Sequence, residues 1–143
     1  MVTRRNETIP HIRDLFERFA IPGFNATEYL ADAESDNTAV PNIGLAFSGG
    51  GYRAMLAGAG SLAALDARSA GSDAQGNLGG LLQASTYISG LSGGGWLVGS
   101  IYTNNFTTVE ASLNSGATWQ LQDSILSGKY RFIDNMKMSG QLG

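Results

Sequence analysis

A serine with glycines two residues before and two after it, Gly90-Leu91-Ser92-Gly93-Gly94, is the part of this chain best suited to covalent chemistry. The pattern is the G-x-S-x-G of a nucleophile elbow, in which a strand turns sharply into a helix and leaves the serine standing at the strand's tip. The glycines have a steric purpose, because a Cβ at either position would collide with the strand or the helix. A helix beginning at Gly93 would aim free N–H groups and its positive end at negative charge building up beside Ser92. Taken alone, the same letters also describe a glycine- and serine-rich loop with no chemistry.

A second stretch shifts that balance. Ser48-Gly49-Gly50-Gly51-Tyr52-Arg53-Ala54-Met55 places three consecutive glycines ahead of an apolar segment. Such a loop leaves backbone N–H groups unshielded and can turn two of them toward an oxyanion. Each well-placed donor is worth roughly 3–4 kcal/mol in the transition state of acyl transfer. The loop would serve equally as a phosphate-binding helix start or as a plain turn. A glycine loop and a serine elbow on one sheet edge favour catalysis.

The elements that must position these residues are legible around them. Residues 42–47 form a short apolar strand ending at the glycine loop, and 52–66, rich in Ala and Leu, predict a buried helix. Residues 67–80 read as a loop, 84–89 as a second strand, and a helix runs from Gly93 to Tyr102. That βαβα order predicts an α/β fold with two parallel strands and a right-handed crossover. Both motifs then face the edge where open α/β sheets hold their ligands. The substring Gly58-Ala59-Gly60-Ser61-Leu62-Ala63 matches a dinucleotide G-x-G-x-x-A, but it falls inside the helix instead of at a strand-to-helix turn, which excludes it as a nucleotide site.

Before these elements, 10–20 predicts an amphipathic helix with Ile12, Leu15, Phe16 and Phe19 on one face and His11 at its start. Residues 21–41 are polar and rich in turn formers, which predicts a surface connection. Beyond the second glycine motif, 109–113 fits a helix or a strand, 119–126 has partial helical spacing, and 129–134 alternates like an exposed strand. Two strands are too few to build an independent core for a parallel sheet, so a piece of a larger domain is expected.

Composition narrows the function classes. The chain has 143 residues, 43% of them hydrophobic, with nine Lys and Arg against twelve Asp and Glu. That acidic balance supplies no basic stripe for nucleic acid. No apolar run approaches the ~20 residues that cross a bilayer, and no signal peptide opens the chain. With no cysteine and one histidine, disulfides, thiolate metal sites and multi-histidine sites are all excluded. Three sequons, at Asn6, Asn25 and Asn105, are candidate glycosylation sites and lean toward an extracellular protein.

The two motifs together, Ser48-Gly49-Gly50-Gly51-Tyr52-Arg53-Ala54-Met55 and Gly90-Leu91-Ser92-Gly93-Gly94-Gly95-Trp96, resemble the paired signature of the fungal lysophospholipase/phospholipase B family. That family is related to cytosolic phospholipase A2 and more distantly to patatin. The resemblance implies a three-layer α/β/α domain, of which residues 1–143 would be an incomplete N-terminal part. It implies a Ser-Asp dyad with Ser92 as nucleophile, Gly50 and Gly51 as oxyanion donors, and Arg53 on the substrate's phosphate. The substrate would be a phospholipid or lysophospholipid at a membrane or micelle surface, its acyl chain in an apolar cleft, with no metal or cofactor. The parent protein is expected to be secreted or held at the cell surface.

The chain departs from the family pattern in lacking the Asp-Gly dipeptide that carries the dyad's acid. Asp66, Asp73, Asp123 and Asp134 read as solvent-exposed or capping residues. The family's signal segment and cysteines are absent too. The acid is therefore expected outside this chain, leaving the isolated piece inactive or nearly so. A non-catalytic phosphate- or lipid-binding module, with the glycine loop and Arg53 holding the ligand, is the alternative.

Overall fold

A computed structural model of the chain describes residues 2–19, 21–36 and 39–120. Among the described residues six helices and two strands follow in the order α1 (Val2–Arg18), α2 (Ala26–Ser35), β1 (Gly44–Phe47), α3 (Gly51–Leu65), α4 (Leu81–Ala84), β2 (Tyr87–Gly90), α5 (Gly93–Thr103) and α6 (Val109–Ser115). Among the described residues no helix is long and apolar enough to cross a membrane.

The two strands pair in parallel, with Gly44 beside Tyr87, Leu45 beside Ile88, Ala46 beside Ser89 and Phe47 beside Gly90. This is the small parallel sheet expected of an α/β arrangement, and its register brings the C-terminal ends of β1 and β2 level. The glycine loop follows one of those ends and the elbow follows the other. Phe47 and Ile88 pack against the helices and Leu45 is half-buried, whereas Gly44, Ala46, Tyr87 and Ser89 are exposed. A parallel sheet ordinarily has both faces covered. Here the described residues cover one.

Two apolar clusters hold the described residues together. The first joins α3, α5 and α6 over the sheet through Met55, Ala59, Leu62, Leu97, Ile101, Val109 and Trp119. Gly58 lets α3 come close there, since a Cβ on it would sit 2.9 Å from Leu97 Cδ2 and 3.0 Å from Phe47 Cδ1. The second cluster joins α1, α2 and α4 through Ile9, Ile12, Leu30, Ala33, Val40 and Ala84.

Several sequence expectations are corrected. The first helix begins well before residue 10 and runs through Pro10, which is exposed and removes one backbone bond without ending the helix. His11 therefore lies inside α1, half-buried, and packs toward the Gly80 turn. Within 21–41, expected to be surface connection, α2 forms because Asn25 caps its start, accepting from the Glu28 N–H at 3.2 Å. Ala84 belongs to the short α4, and the second strand starts at Tyr87. Residues 109–113 are helical. Trp119 is buried and Gln120 exposed, both outside any helix, while 121–126 and 129–134 lie outside the described residues.

Candidate active site

Ser92 occupies the turn between β2 and α5 with φ 51° and ψ −118°, a backbone conformation that a residue with a Cβ seldom adopts. Such strain persists only where the surroundings impose it. Here the surroundings are backbone. Leu91 donates its N–H to the Phe47 carbonyl at 3.0 Å, and Gly94 donates to the Ser48 carbonyl at 3.1 Å, so the elbow is tied on both sides to the end of β1. A Cβ on Gly94 would lie 2.6 Å from the Phe47 carbonyl carbon and 2.7 Å from the Ser48 carbonyl oxygen. Only glycine fits at that crossing.

The Ser92 side chain is exposed and makes no hydrogen bond to the helix it caps, which leaves its hydroxyl available. The glycine loop lies directly against it. A Cβ on Gly49 would be 3.0 Å from Ser92 Cβ and 3.6 Å from Ser92 Oγ. Gly51 comes closer still to Gly93, whose added Cβ would collide with the Gly51 carbonyl oxygen and lie 2.9 Å from its carbonyl carbon. Gly50, the N-cap of α3, takes φ 132°, and Gly51 takes φ 67°.

The first N–H groups of an α-helix have no carbonyl within the helix to reach. α5 begins directly after Ser92, and α3 begins beside it where Gly51 meets Gly93, so the positive ends of both helices lie close to Ser92. The Gly94 N–H is taken by the Ser48 and Leu91 carbonyls. Negative charge on an oxygen attached to Ser92 would be favoured by these helix ends. That is the requirement of acyl transfer, in which a carbonyl oxygen becomes an oxyanion.

Arg53, in the first turn of α3, is exposed, and no carboxylate pairs with it among the described residues. The structure thus gathers Ser92, Gly50, Gly51 and Arg53 at one sheet edge. Sequence reasoning gave no role to Gly49, although its contact with Ser92 makes it as constrained as its neighbours. Its signal was present in the run of three glycines, where only two were assigned.

Asp66 is the C-cap of α3, in line with the expected capping role, but it is buried. It is 3% exposed, and its carboxylate accepts from Arg68 Nε at 2.9 Å, Arg68 Nη2 at 2.7 Å and Gln83 Nε2 at 2.6 Å. The Arg68 backbone N–H adds a bond of 3.0 Å. Burial by itself would raise the Asp66 pKa, but the Arg68 and Gln83 hydrogen bonds and the Arg68 charge together bring it below the usual carboxylate value. Asp66 closes the far end of α3, whose 15 residues span about 22 Å, so it stands well away from Ser92. Asp73 is exposed in the loop after it, and Asp123 and Asp134 lie outside the described residues.

Of the sequon asparagines, Asn6 and Asn105 are exposed, and Asn105 has φ 53° in the turn after α5. Asn25 is exposed but engaged, with its amide donating to Glu28 Oε2 at 3.1 Å while it caps α2.

The chain is similar to known lysophospholipases. Residues 43–140 match the family model described as the lysophospholipase catalytic domain. The chain is 50% identical over 125 residues to "Lysophospholipase 2" of Aspergillus fumigatus, an alignment covering 87% of this chain and 21% of that protein. It is 52% identical over 128 residues to "Lysophospholipase 3" of the same fungus, covering 87% and 20%. With "Lysophospholipase" of Penicillium chrysogenum it shares 46% over 127 residues, covering 87% and 21%. The chain thus spans about a fifth of the length of these relatives. No solved structure matches it.

Proposed function

The chain belongs to the family of lysophospholipase catalytic domains, and from that premise we propose that its parent protein is a lysophospholipase/phospholipase B, a serine carboxylic-ester hydrolase. The observation that carries this reading is Ser92 itself, held at φ 51° with a free hydroxyl beside the glycine loop. Ser92 Oγ attacks the ester carbonyl of a phospholipid or lysophospholipid. The oxyanion accepts from the N–H groups of Gly50 and Gly51, the alcohol leaves, and water then releases the fatty acid from acyl-Ser92. Arg53 binds the substrate's phosphate.

The proton of Ser92 needs an acceptor. Asp66 is committed to Arg68 and Gln83 at the far end of α3, and His11 packs near Gly80, ahead of β2. We assign the role to an aspartate of the parent protein outside residues 1–143, completing a Ser-Asp dyad, and expect the isolated chain to be inactive. Residues 1–143 are then the N-terminal part of a three-layer α/β/α domain of the patatin and cytosolic phospholipase A2 type. The uncovered sheet face supports that reading, since a parallel sheet of this kind requires a further layer. The substrate is met at a membrane or micelle surface, and the parent is secreted or surface-bound, with Asn6, Asn25 and Asn105 as glycan acceptors.

The test is fluorophosphonate labelling and lysophospholipid hydrolysis by the full-length protein. Wild type should label at Ser92, and Ser92→Ala should lose both labelling and turnover. Turnover retained by Ser92→Ala sinks the assignment. Absence of labelling in a folded, phosphate-binding wild type would favour the binding module. Arg53→Ala should reduce hydrolysis of phospholipids far more than that of neutral short-chain esters.

A further inference from the structure

Two aromatic rings touch where the two halves of the site meet. Tyr52 directly follows the glycine loop, and Trp96 stands one helical turn after Ser92. Their ring centroids lie 5.3 Å apart with planes tilted by 48°. Tyr52 also packs on the main apolar cluster, while Trp96 is 42% exposed.

Other close contacts at this end of α3 and α5 are made by glycines. Gly93 abuts Gly51, and Gly49 abuts Ser92. Glycines permit close approach but bury almost no side-chain surface to favour it. The electrostatics oppose it as well, because two helix N-termini that face one space carry partial charges of the same sign. The buried side chains shared by these helices, Met55 and Leu97 among them, come in later positions of α3 and α5. Backbone hydrogen bonds from Leu91 to Phe47 and from Gly94 to Ser48 tie the elbow to the end of β1, and the Tyr52–Trp96 contact adds a side-chain attraction between the starts of α3 and α5.

We propose that the Tyr52–Trp96 pair is a clasp that sets the separation of the oxyanion loop, Gly50 and Gly51, from Ser92. Both are positioning residues for acyl transfer. The inference rests on the reading of Ser92 as nucleophile and of the glycine loop as its donor. A ring contact suits the task because tilted aromatic pairs have a preferred distance and orientation. The site in turn is sensitive to small displacements, since misplacing a reacting group by 1 Å can cost on the order of 100-fold in rate.

The experiment uses the full-length protein with lysophospholipid as substrate. Trp96→Ala and Tyr52→Ala should each lower kcat by roughly 10- to 100-fold while KM moves by less than about threefold, since the loss falls on the transition state. Trp96→Phe and Tyr52→Phe, which keep a ring, should stay within about threefold of wild type. The double alanine variant should lose little more than the worse single one, because the pair acts as a unit. Should Trp96→Ala fold poorly, Trp96→Leu fills the space without a ring face and should still lose about tenfold in kcat.

A rise in KM at unchanged kcat would overturn the clasp and make the rings a wall for the acyl chain. Phenylalanine variants as damaged as the alanine ones, strictly additive losses, or a wild-type kcat in Trp96→Leu would overturn it too. Fluorophosphonate labelling of the same samples separates the two readings. A wild type unlabelled at Ser92 removes the nucleophile and the clasp together, whereas a labelled wild type with unimpaired variants removes the clasp alone.

Discussion

The cluster beneath Ser92 and the cluster around α1 and α2 are built by opposite means. Under the site, α3 and α5 are rich in glycine and alanine, and the chain crosses itself backbone against backbone at Gly93 and Gly94. Around α1 and α2 the contacts run from side chain to side chain. Phe16, Phe24 and Tyr29 stack with centroids 5.1, 5.6 and 5.8 Å apart, and Arg13 pairs with Glu34. Packed side chains can shift to absorb a change, whereas a carbonyl held in a strand cannot. Placement of reacting atoms is secured where no side chain fits at all, and the other described elements are held by more adaptable packing.

The largest expected effect comes from adding a single carbon at the crossing. In Gly94→Ala the new Cβ has the Phe47 and Ser48 carbonyls within 2.7 Å, and both belong to the backbone that supports the elbow. The expected outcome is a destabilisation of more than about 4 kcal/mol, read as loss of soluble full-length protein. Ala33→Gly, equally buried but in the side-chain-packed region, should cost only about 1–2 kcal/mol from helix propensity and one lost methyl. Equal tolerance of the two would erase the contrast. Between these extremes lies Leu97→Ala. Leu97 is fully buried between α3 and the sheet, so its removal should cost about 3–5 kcal/mol, lowering the urea midpoint with an unchanged slope.

A third site sharpens the comparison through pH. Asp66 links the end of α3 to Gln83 and, through Arg68 Nη1, to the Phe106 carbonyl at 2.8 Å. Its folded pKa is lowered, so the stability it contributes is fully present above the unfolded carboxylate value near 4 and is lost as pH falls through the lower folded value. Asp66→Asn should cost about 2 kcal/mol at pH 7, limited by the half-exposed Arg68, and should flatten the decline in stability below about pH 4. Thermal unfolding between pH 3 and 7 checks both outcomes, and an undiminished acid slope in Asp66→Asn would assign that slope to other carboxylates.

The parts legible in the sequence were those where sterics dictates residue type. At Gly94 and around Ser92 only glycine is tolerated, so the letters themselves announce the turn, and the apolar segment after Gly51 announced α3. The burial of Asp66 could not be read in this way, because its partner Gln83 lies 17 positions on and meets it only once α3 has brought the chain back. β2 was misplaced by its start because Thr86 and Tyr87 have β-forming side chains, while Ala84, equally apolar, is taken by α4 and buried against α1. The Tyr52–Trp96 contact, 44 positions apart, is a product of the βαβ crossover and has no local signature.

The helix α2 marks the boundary between these cases, and it sets the smallest expected effect. Its signal was present as Asn25-x-x-Glu28 followed by Tyr29, Leu30 and Ala33 on one face, but the polar residues around it resemble a loop. Asn25 supplies the cap directly, its Oδ1 accepting from the Glu28 N–H while its amide holds the Glu28 carboxylate. Asn25→Ala should therefore destabilise the full-length protein by about 1 kcal/mol, and Asn25→Asp should recover most of it by keeping the acceptor at the helix start. Hydrolysis at saturating substrate should be unchanged in both, because α2 belongs to the adaptable cluster. A loss of kcat in a folded Asn25→Ala variant would show that the two clusters are coupled, and that the contrast between them extends only to packing.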